Sequence, residues 1–190
     1  AWPEVLPFAA ALCGGEGGAG AAAPNCFALE ALAEAMGPLS PGVERCPPGT
    51  LLVDASTAAL VRFPERPSGE PAEPRWAKAL LAPAASLGLV GHVVVADTPA
   101  AARLFAAHAA LSGGAPVRLV PAGAQSALLG PLPIALVEAL AGEVRVHGER
   151  SPDDEALALA PSTFRWLESL RLSTLGDLRR LPPRTLVSRL

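Results

Sequence analysis

The chain has 190 residues, of which 51% are hydrophobic, and its formal net charge at pH 7 is −3. This length is sufficient for one domain with a full hydrophobic core and a small additional module. The negative net charge excludes a general positive field that would attract nucleic acid. Any contact with DNA must therefore be local, weak or shared with a partner.

The three cysteines, Cys13, Cys26 and Cys46, are odd in number and lack a CxxC spacing. This pattern argues against a disulfide framework and against a zinc site, and it is typical of a reducing cytosol. No window reaches the roughly 18 continuous apolar residues of a membrane-spanning helix, and residues 1–4 lack the basic start of a signal peptide. We therefore expect a cytoplasmic protein with no membrane partner.

The N-terminal part of the chain contains one predicted helix and one predicted strand. Residues 14–24 are rich in glycine and alanine and are typical of a flexible connector. We therefore interpret residues 1–24 as a divergent or flexible N-terminal segment. Asn25 can cap a helix that runs from about 26 to 36, and Gly37 and Pro38 end it. Residues 50–54 then predict a buried strand.

The centre of the chain alternates between helix and strand signals. Helical spacing predicts a helix over residues 75–87, and the β-branched run at 92–96 predicts a strand that is buried on both faces. Thr98 can cap the next helix, which has proline in its first position and extends to about Leu111.

A strand at 117–120 and two short helical pieces, around 124–129 and 134–140, complete this central part. Alternation of helices and strands indicates that the helices pack against one sheet. The sequence therefore predicts an α+β fold for residues 25–140, with helices on one face of the sheet.

Residues 141–160 form a polar segment that we interpret as a linker, and its acidic cluster at 153–155 is typical of a solvated loop. His92, His108 and His147 are far apart and have no carboxylate or thiol in ligand spacing. No Ser–His–Asp arrangement and no phosphate-binding glycine motif is present. The sequence therefore predicts no catalytic residues, no metal ligands and no cofactor.

Residues 161–190 predict two short helices joined by a tight hairpin. Apolar residues recur at helical spacing on both sides of the hairpin. Thr174 is placed as an N-cap, and Asp177 stands three positions later in capping-box register. Helix-hairpin-helix units present backbone N–H groups to a nucleic-acid phosphate. The same pattern also fits a hairpin that only closes a hydrophobic core.

This terminal segment is the only basic stretch of the chain, with six arginines and two acidic residues between 161 and 190. Arginine binds phosphate through charge-assisted hydrogen bonds. The segment is therefore the candidate DNA surface, and the alternative is a solvated basic face. The predicted DNA-binding residues are Arg171, Leu172, Thr174, Gly176 and Arg179.

Four segments carry a family resemblance: ADTPAAA at 96–102, VPAG at 120–123, LLGPLP at 128–133 and LRLSTLGDL at 170–178. They resemble Y-family translesion DNA polymerases, and in particular the ImuB branch, the polymerase-like subunit of a bacterial mutasome. The resemblance extends over roughly 27–139 and 162–190. It implies a Y-family palm in the centre and the start of a helix-hairpin-helix thumb at residues 161–190.

The carboxylates of active members of this family are not found in this chain. Those members hold two divalent cations with three carboxylates, because paired metals stabilise both the attacking and the leaving oxygen. One carboxylate comes from an Asp-x-Asp run in the first palm strand, and no such run precedes residue 54 here. The other two come from an Asp-Glu pair, whose place is taken by Gly49-Thr50. Asp54 then corresponds to the structural aspartate of the family.

Two further departures concern phosphate groups. Active members have a Lys near the start of the helix after the valine-rich strand, whereas the nearest cation here is Arg103, about one turn further along. Without the acids and this Lys, nucleotidyl transfer has little electrostatic support, which implies a pseudo-enzyme. In the hairpin, the family has Gly followed by Ile or Val, and this chain has Arg171-Leu172. The guanidinium could replace backbone contacts by a charge contact, but its Cβ crowds the approach.

The resemblance implies a non-catalytic scaffold in damage-induced translesion synthesis and mutagenesis. The expected partners are a RecA-like protein of the ImuA type, an error-prone C-family DNA polymerase and the sliding clamp, whose binding peptide we do not expect within these residues. Weak DNA binding is also expected. One alternative is an active translesion polymerase with its carboxylates in a missing N-terminal segment. The other is a cytosolic protein-interaction domain that is unrelated to DNA.

Overall fold

The computed structural model describes residues 8–15, 26–46, 49–55, 61–63, 71–137, 161–182 and 184. The chain divides into two compact units, Ala1–Gln125 and Ser126–Leu190. The elements of the first unit are β1 (Phe8–Gly15), α1 (Cys26–Met36), β2 (Val43–Cys46), β3 (Thr50–Asp54), α2 (Ala72–Ala79), α3 (Leu81–Ser86), β4 (Leu89–Ala96), α4 (Pro99–Ser112) and β5 (Val117–Leu119). The helix α5 (Gln125–Leu129) crosses the boundary, and the second unit contains α6 (Pro161–Ser169) and α7 (Leu175–Leu178).

The first unit is built on one five-stranded sheet with the strand order β2-β3-β1-β4-β5. The central strand β1 is antiparallel to β3 and to β4, whereas β5 is parallel to β4. Its first four strands and their helical connections follow the split βαβ arrangement. The mixed sheet with helices confirms the α+β class. The predicted strands at 50–54, 92–96 and 117–120 correspond to β3, β4 and β5.

The strand β1 is the largest difference from the sequence-based prediction. The predicted flexible connector began at residue 14, but Gly14 and Gly15 pair with Val90 and Leu89 of β4. The prediction failed there because alanine and glycine have low strand propensity. Hydrogen bonds to β3 and β4 along the two edges of β1 stabilise the strand, although its own residues have little strand propensity. The part of the predicted N-terminal segment at 1–7 and 16–24 lies outside the described residues.

The core of the first unit lies between the sheet and the helices α1, α2 and α3. Leu51 and Val53 of β3 and Val93 and Val95 of β4 point into this core, where they join the fully buried Trp76 of α2. Consecutive residues of a strand point to opposite faces of the sheet. The buried Val94 and Ala96 therefore belong to the other face of β4.

The helix α4 covers that second face. It packs against β1 and β4, and the ring of its Phe105 lies 4.7 Å from the guanidinium carbon of Arg118, the residue that pairs with Val94. The prediction of helices on one face only was therefore wrong. The reason is visible in the sequence of β4, because a continuous apolar run requires cover on both sides.

The predicted helix over 75–87 is two helices, α2 and α3, separated at Leu80. Pro83 has no N–H group to donate to the preceding turn, which weakens a continuous helix at this point. The helix α4 follows its prediction: Thr98 caps it by accepting from the backbone N–H of Ala101 at 3.3 Å, and a left-handed Gly113 ends it. The last predicted piece, 134–140, is helical at residues 135–137, and the rest lies outside the described residues.

The unit boundary at Gln125 differs from the predicted domain boundary near residue 140. Residues 130–134 belong to the second unit, where Gly130, Leu132 and Ile134 make backbone hydrogen bonds with the terminal hairpin. The proposed linker at 141–160 lies outside the described residues. Among the described residues, no helix combines the length and the apolar character needed to cross a membrane.

Candidate nucleic-acid interface

The second unit has a small hydrophobic core formed by its helices and by the segment at 132–137. Ile134 and Leu167 are buried at its centre, and the partly buried residues packed around them are Val137, Trp166, Leu172, Leu175, Leu178 and Leu181. This arrangement confirms the predicted apolar spacing on both sides of the hairpin. Leu170 is the exception, because 43% of its surface remains exposed at the tip of the turn.

The N-terminus of α7 carries the predicted capping box. Thr174 accepts a hydrogen bond on its Oγ1 from the backbone N–H of Asp177 at 3.2 Å. In return, Asp177 accepts on its Oδ2 from the backbone N–H of Thr174 at 3.0 Å. The reciprocal bonds satisfy donors that a helix start leaves without intrahelical partners. Thr174 therefore has a structural role in this conformation.

The C-terminus of α6 forms a Schellman motif in which Arg171 occupies the left-handed position. The backbone N–H of Arg171 donates to the carbonyl of Glu168 at 2.8 Å, and that of Leu172 donates to the carbonyl of Leu167 at 3.3 Å. Arg171 has φ = 55° and is the only non-glycine residue with positive φ in the described part of the chain. An L-residue with a Cβ pays about 1 kcal/mol for this conformation, which glycine adopts without cost.

The N-terminal half of α7 is held by backbone hydrogen bonds to the segment at 130–132. Leu175 donates to the carbonyl of Leu132 and Gly176 donates to the carbonyl of Gly130, both at 2.8 Å. The two glycines approach so closely that a Cβ on Gly176 would stand 3.0 Å from the carbonyl oxygen of Gly130. Gly176 therefore permits contact between two segments of this unit.

Every backbone N–H from residue 171 to residue 177 has an acceptor within the protein. The remaining donor, Ser173, donates to Oδ2 of Asp177 at 3.3 Å. A helix-hairpin-helix unit that binds phosphate through its backbone needs some of these groups to face the ligand. In this structure they face the protein, which leaves phosphate recognition at the hairpin to side chains.

The arginines of the hairpin differ in what they contact. The Nη1 of Arg179 donates to the carbonyl of Ser126 at 3.2 Å and also to its hydroxyl. Arg180 forms an ion pair with Asp177 at 3.3 Å. Arg171 is exposed, and within the described residues no hydrogen bond or ion pair of its side chain is found. Of the five predicted DNA-binding residues, only Arg171 presents to solvent a charged group that has no partner among the described residues.

Sequence reasoning missed the pairing of Gly130 with Gly176. The available signal was the presence of one glycine in each of two motifs, LLGPLP and TLGDL. Close approach of two backbones requires residues without a Cβ at the contact. The proline-rich turn at 131–133 was recognised in the sequence, but its partner was not, because nothing local to either motif indicates the other.

Gly49 and Thr50, the positions at which the family resemblance places an Asp-Glu pair, lie directly before and at the start of β3 in the first unit. Leu12 in the second half of β1 lies opposite Thr50 at the start of β3 and opposite His92 of β4. Thr50 is fully buried, and β1 contains no acidic residue. Among the described residues no group of three or more His, Cys, Asp or Glu side chains could hold a metal ion.

Asp54 lies at the opposite end of β3, where it pairs with Phe8. Its backbone is fixed by the loop before β2, since its N–H donates to the carbonyl of Gly42 at 2.8 Å and its carbonyl accepts from the hydroxyl of Ser40 at 2.7 Å. A groove of about 280 Å³ opens beside it. Asp54 and Glu44 are the acidic residues that line the groove.

The turn between β4 and α4 is fixed by polar contacts with residues 123–125. Asp97 accepts on Oδ2 from the backbone N–H of Gly123 at 3.2 Å. The hydroxyl of Thr98 accepts both the capping bond from Ala101 and a bond from the Nε2 of Gln125 at 3.0 Å. The polar side chains of the ADTP motif thus hold a turn together.

Cys46 is the cysteine whose side chain the structure describes, and it is free and buried. Burial raises the pKa of its thiol above the ordinary value of 9.0, while Arg103 acts in the opposite direction. A thiol with a raised pKa holds little thiolate at neutral pH and is poorly reactive.

The capping box makes the hairpin sensitive to acid. Hydrogen bonds lower the pKa of Asp177 from 3.8, the largest contribution coming from the hydroxyl of Thr174, followed by the backbone N–H groups of Thr174 and Ser173. A carboxyl with a lowered folded pKa stabilises the fold at pH values above its unfolded pKa, and this stabilisation is lost as the pH falls through the folded pKa. We therefore expect the hairpin to lose stability below about pH 4.

An NMR titration of the Asp177 carboxyl carbon measures this effect directly. The expected result is a midpoint below 3.8, together with lower protection of the amide hydrogens of residues 174–177, relative to their intrinsic exchange, as the cap is protonated. The control is Asp177→Asn, in which this protection should lose its dependence on acid. A midpoint at or above 3.8 would show that the capping box is not formed in solution.

Comparison with known proteins gives no relative: no family model, no curated protein and no solved structure matches the chain.

Proposed function

We propose that this chain is a non-catalytic, Y-family-polymerase-like scaffold that acts in damage-induced translesion synthesis. In this proposal the sheet unit corresponds to the palm, and residues 161–190 correspond to the start of the thumb. The scaffold bridges a RecA-like protein and an error-prone C-family polymerase at the sliding clamp. The family resemblance of four segments suggests this assignment, and the arrangement of the sheet supports the non-catalytic part of it.

The observation that carries the proposal is the composition of one end of the sheet. Two-metal phosphoryl transfer needs carboxylates from neighbouring strands that share two ions about 4 Å apart. At this end of the sheet, Leu12 of β1 pairs with Thr50 of β3, and Gly49 directly precedes Thr50. Residues 12–15 of β1 are Leu, Cys, Gly and Gly, so neither strand offers an acidic side chain where the two strands meet.

The turn after β4 gives a second argument. In the active family a lysine near the start of this helix binds the incoming triphosphate, and here Asp97 and Thr98 bond to residues 123 and 125 instead. Asp97 also adds a negative charge, which opposes binding of a triphosphate at this turn.

A primer-extension assay tests the catalytic part of the proposal. Purified protein is mixed with Mg²⁺, the four deoxynucleoside triphosphates and a labelled primer–template. We expect no added nucleotides, even at an enzyme concentration equal to that of the DNA. A matched variant, Gly49→Asp with Thr50→Glu, restores the acidic pair alone and should also remain inactive, because β1 supplies no third carboxylate. Extension by the unmodified chain would contradict the proposal and favour the active-polymerase alternative.

Copurification tests the scaffold part. The tagged chain is recovered from an extract of DNA-damaged source cells, and the bound proteins are identified by mass spectrometry. A RecA-like protein in nearly equal amount is the expected result. Absence of that protein, with a soluble and folded bait, would contradict the partner assignment for this segment.

A protein-interaction module that does not bind DNA is a second candidate, and one observation favours it. All backbone N–H groups of residues 171–177 are bonded within the unit, so the hairpin can be explained by packing alone. Binding to DNA through phosphates weakens steeply with salt. No binding to primer–template DNA, or binding that is equal at low and high salt, would favour this candidate.

A further inference from the structure

Arg171 is held in a backbone conformation that its residue type disfavours. Its φ of 55° is the left-handed value required at the end of α6 by the Schellman motif. Glycine fills this position in most proteins because it has no Cβ. Two helices of the first unit follow that rule, since they end at Gly88 and Gly113, whose φ values are 69° and 67°. Arg171 departs from it.

The side chain of Arg171 does not compensate for this conformation within the protein. It is exposed, and no acidic partner or hydrogen-bond acceptor for its guanidinium is found among the described residues. By contrast, the neighbouring Arg179 and Arg180 contact Ser126 and Asp177. Non-glycine residues that are held in such a conformation cluster at functional sites.

The surroundings of Arg171 favour an anionic ligand that carries several charges. Residues 161–190 contain six arginines and two acidic residues, whereas the complete chain has a net charge of −3. The backbone N–H groups of the hairpin are already bonded within the unit. A phosphate that approaches the turn therefore meets a guanidinium and no free amide. Arginine can bind such a phosphate through two parallel hydrogen bonds.

We propose that the guanidinium of Arg171 binds a DNA backbone phosphate at the tip of the hairpin, in place of the backbone amides that such hairpins offer elsewhere. The proposal rests on the proposed function only in the choice of DNA as the polyanion. It makes Arg171 a binding residue that has been kept at the expense of stability. Replacing it by glycine should therefore stabilise the fold and weaken the binding of DNA.

The test uses the complete chain and a fluorescein-labelled primer–template DNA, with anisotropy measured between 50 and 200 mM NaCl. For Arg171→Gly we expect binding that is several-fold weaker at the lowest salt. Loss of one phosphate contact should also reduce the slope of log K against log[salt] by about 0.7–0.9. The same variant should unfold at a higher urea concentration than the unmodified chain, because glycine relieves the left-handed backbone.

Three further variants separate charge from backbone. Arg171→Ala should weaken binding as much as Arg171→Gly but give no comparable gain in stability, since it keeps a Cβ. Arg171→Lys should retain part of the affinity. Arg45→Ala is the matched control in the first unit, because it removes an arginine that is already paired with Glu30 at 2.6 Å. For Arg45→Ala, the slope of log K against log[salt] should not change.

Three outcomes would overturn the inference. The first is salt-dependent binding with the same affinity and slope in Arg171→Gly as in the unmodified chain, and the second is no DNA binding by the unmodified chain at all. The third is tighter binding by Arg171→Gly, which would show that the backbone contacts the phosphate. None of these results changes the outcome of primer extension or copurification, so failure of this inference is distinguishable from failure of the proposed function.

Discussion

Replacement of Trp76 by alanine is expected to lower the free energy of unfolding by about 3–5 kcal/mol, the range for a large aromatic side chain removed from a core. Trp76 is fully buried and joins α2 to the cluster that includes Val53 and Val93 of the sheet. Its Nε1 also donates to the carbonyl of Leu39 at 2.9 Å, which fixes the end of the loop after α1. The alanine variant loses both the packing and this bond.

Urea unfolding followed by far-UV circular dichroism measures the change, because the signal does not depend on the indole that is removed. The control is Trp76→Phe, which keeps most of the apolar volume and leaves the Leu39 carbonyl without its donor. That variant should lose about 1–3 kcal/mol. A typical domain has only about 5–15 kcal/mol of stability, so the alanine variant should lose a large fraction of it. A loss below about 1 kcal/mol would contradict the position of Trp76 in the core.

Replacement of Gly176 by alanine has the second-largest expected effect, about 1–3 kcal/mol, as for other overpacked sites. The added Cβ would lie 3.0 Å from the carbonyl oxygen of Gly130 and 3.4 Å from its carbonyl carbon and Cα. These are backbone atoms, which cannot rotate away as a side chain can. Relief requires α7 to separate from residues 130–132, which would break the bonds donated by Leu175 and Gly176.

Amide hydrogen exchange of residues 172–178 is the appropriate measurement, because it reports the opening of the hairpin independently of the first unit. Gly130→Ala is the matched control. Its nearest contact is the carbonyl oxygen of Ala127 at 3.3 Å, and its Cβ would stay 4.0 Å from Gly176. We expect a smaller increase in exchange for that variant. An equal or larger increase would show that the close approach of the two glycines does not stabilise the unit.

Both glycines also bear on function. If the hairpin is a DNA-binding element, its amides would have to leave Gly130 and Leu132 before they could reach a phosphate. The Gly176→Ala variant makes that opening easier, and Arg171→Gly removes the guanidinium that acts in the closed form. Comparing the DNA affinities of the two variants therefore separates binding in the closed conformation from binding that requires opening.

Several elements of the candidate site were predictable from the sequence because their signals are local. Thr174 and Asp177 are three residues apart, and the capping box they predict is present. The residue that makes the hairpin unusual, Arg171, was also identified, but as a replacement for glycine in a family pattern. Its left-handed conformation and the occupation of the surrounding amides were not predicted, since both depend on bonds to residues outside the hairpin motif.

Local signals in the sequence predict the α+β class, the ends of α1 and α4, the strand β4 and the two capping motifs. Each of these depends on side chains within a few residues of one another, where helical spacing, caps and β-branched runs act directly. Three features are visible only in the folded protein. The alanine-rich segment Phe8–Gly15 is the central strand, α4 covers the second face of the sheet, and Gly130 contacts Gly176. These features depend on hydrogen bonds and close packing between distant segments, whose free energy appears only when both partners are in place.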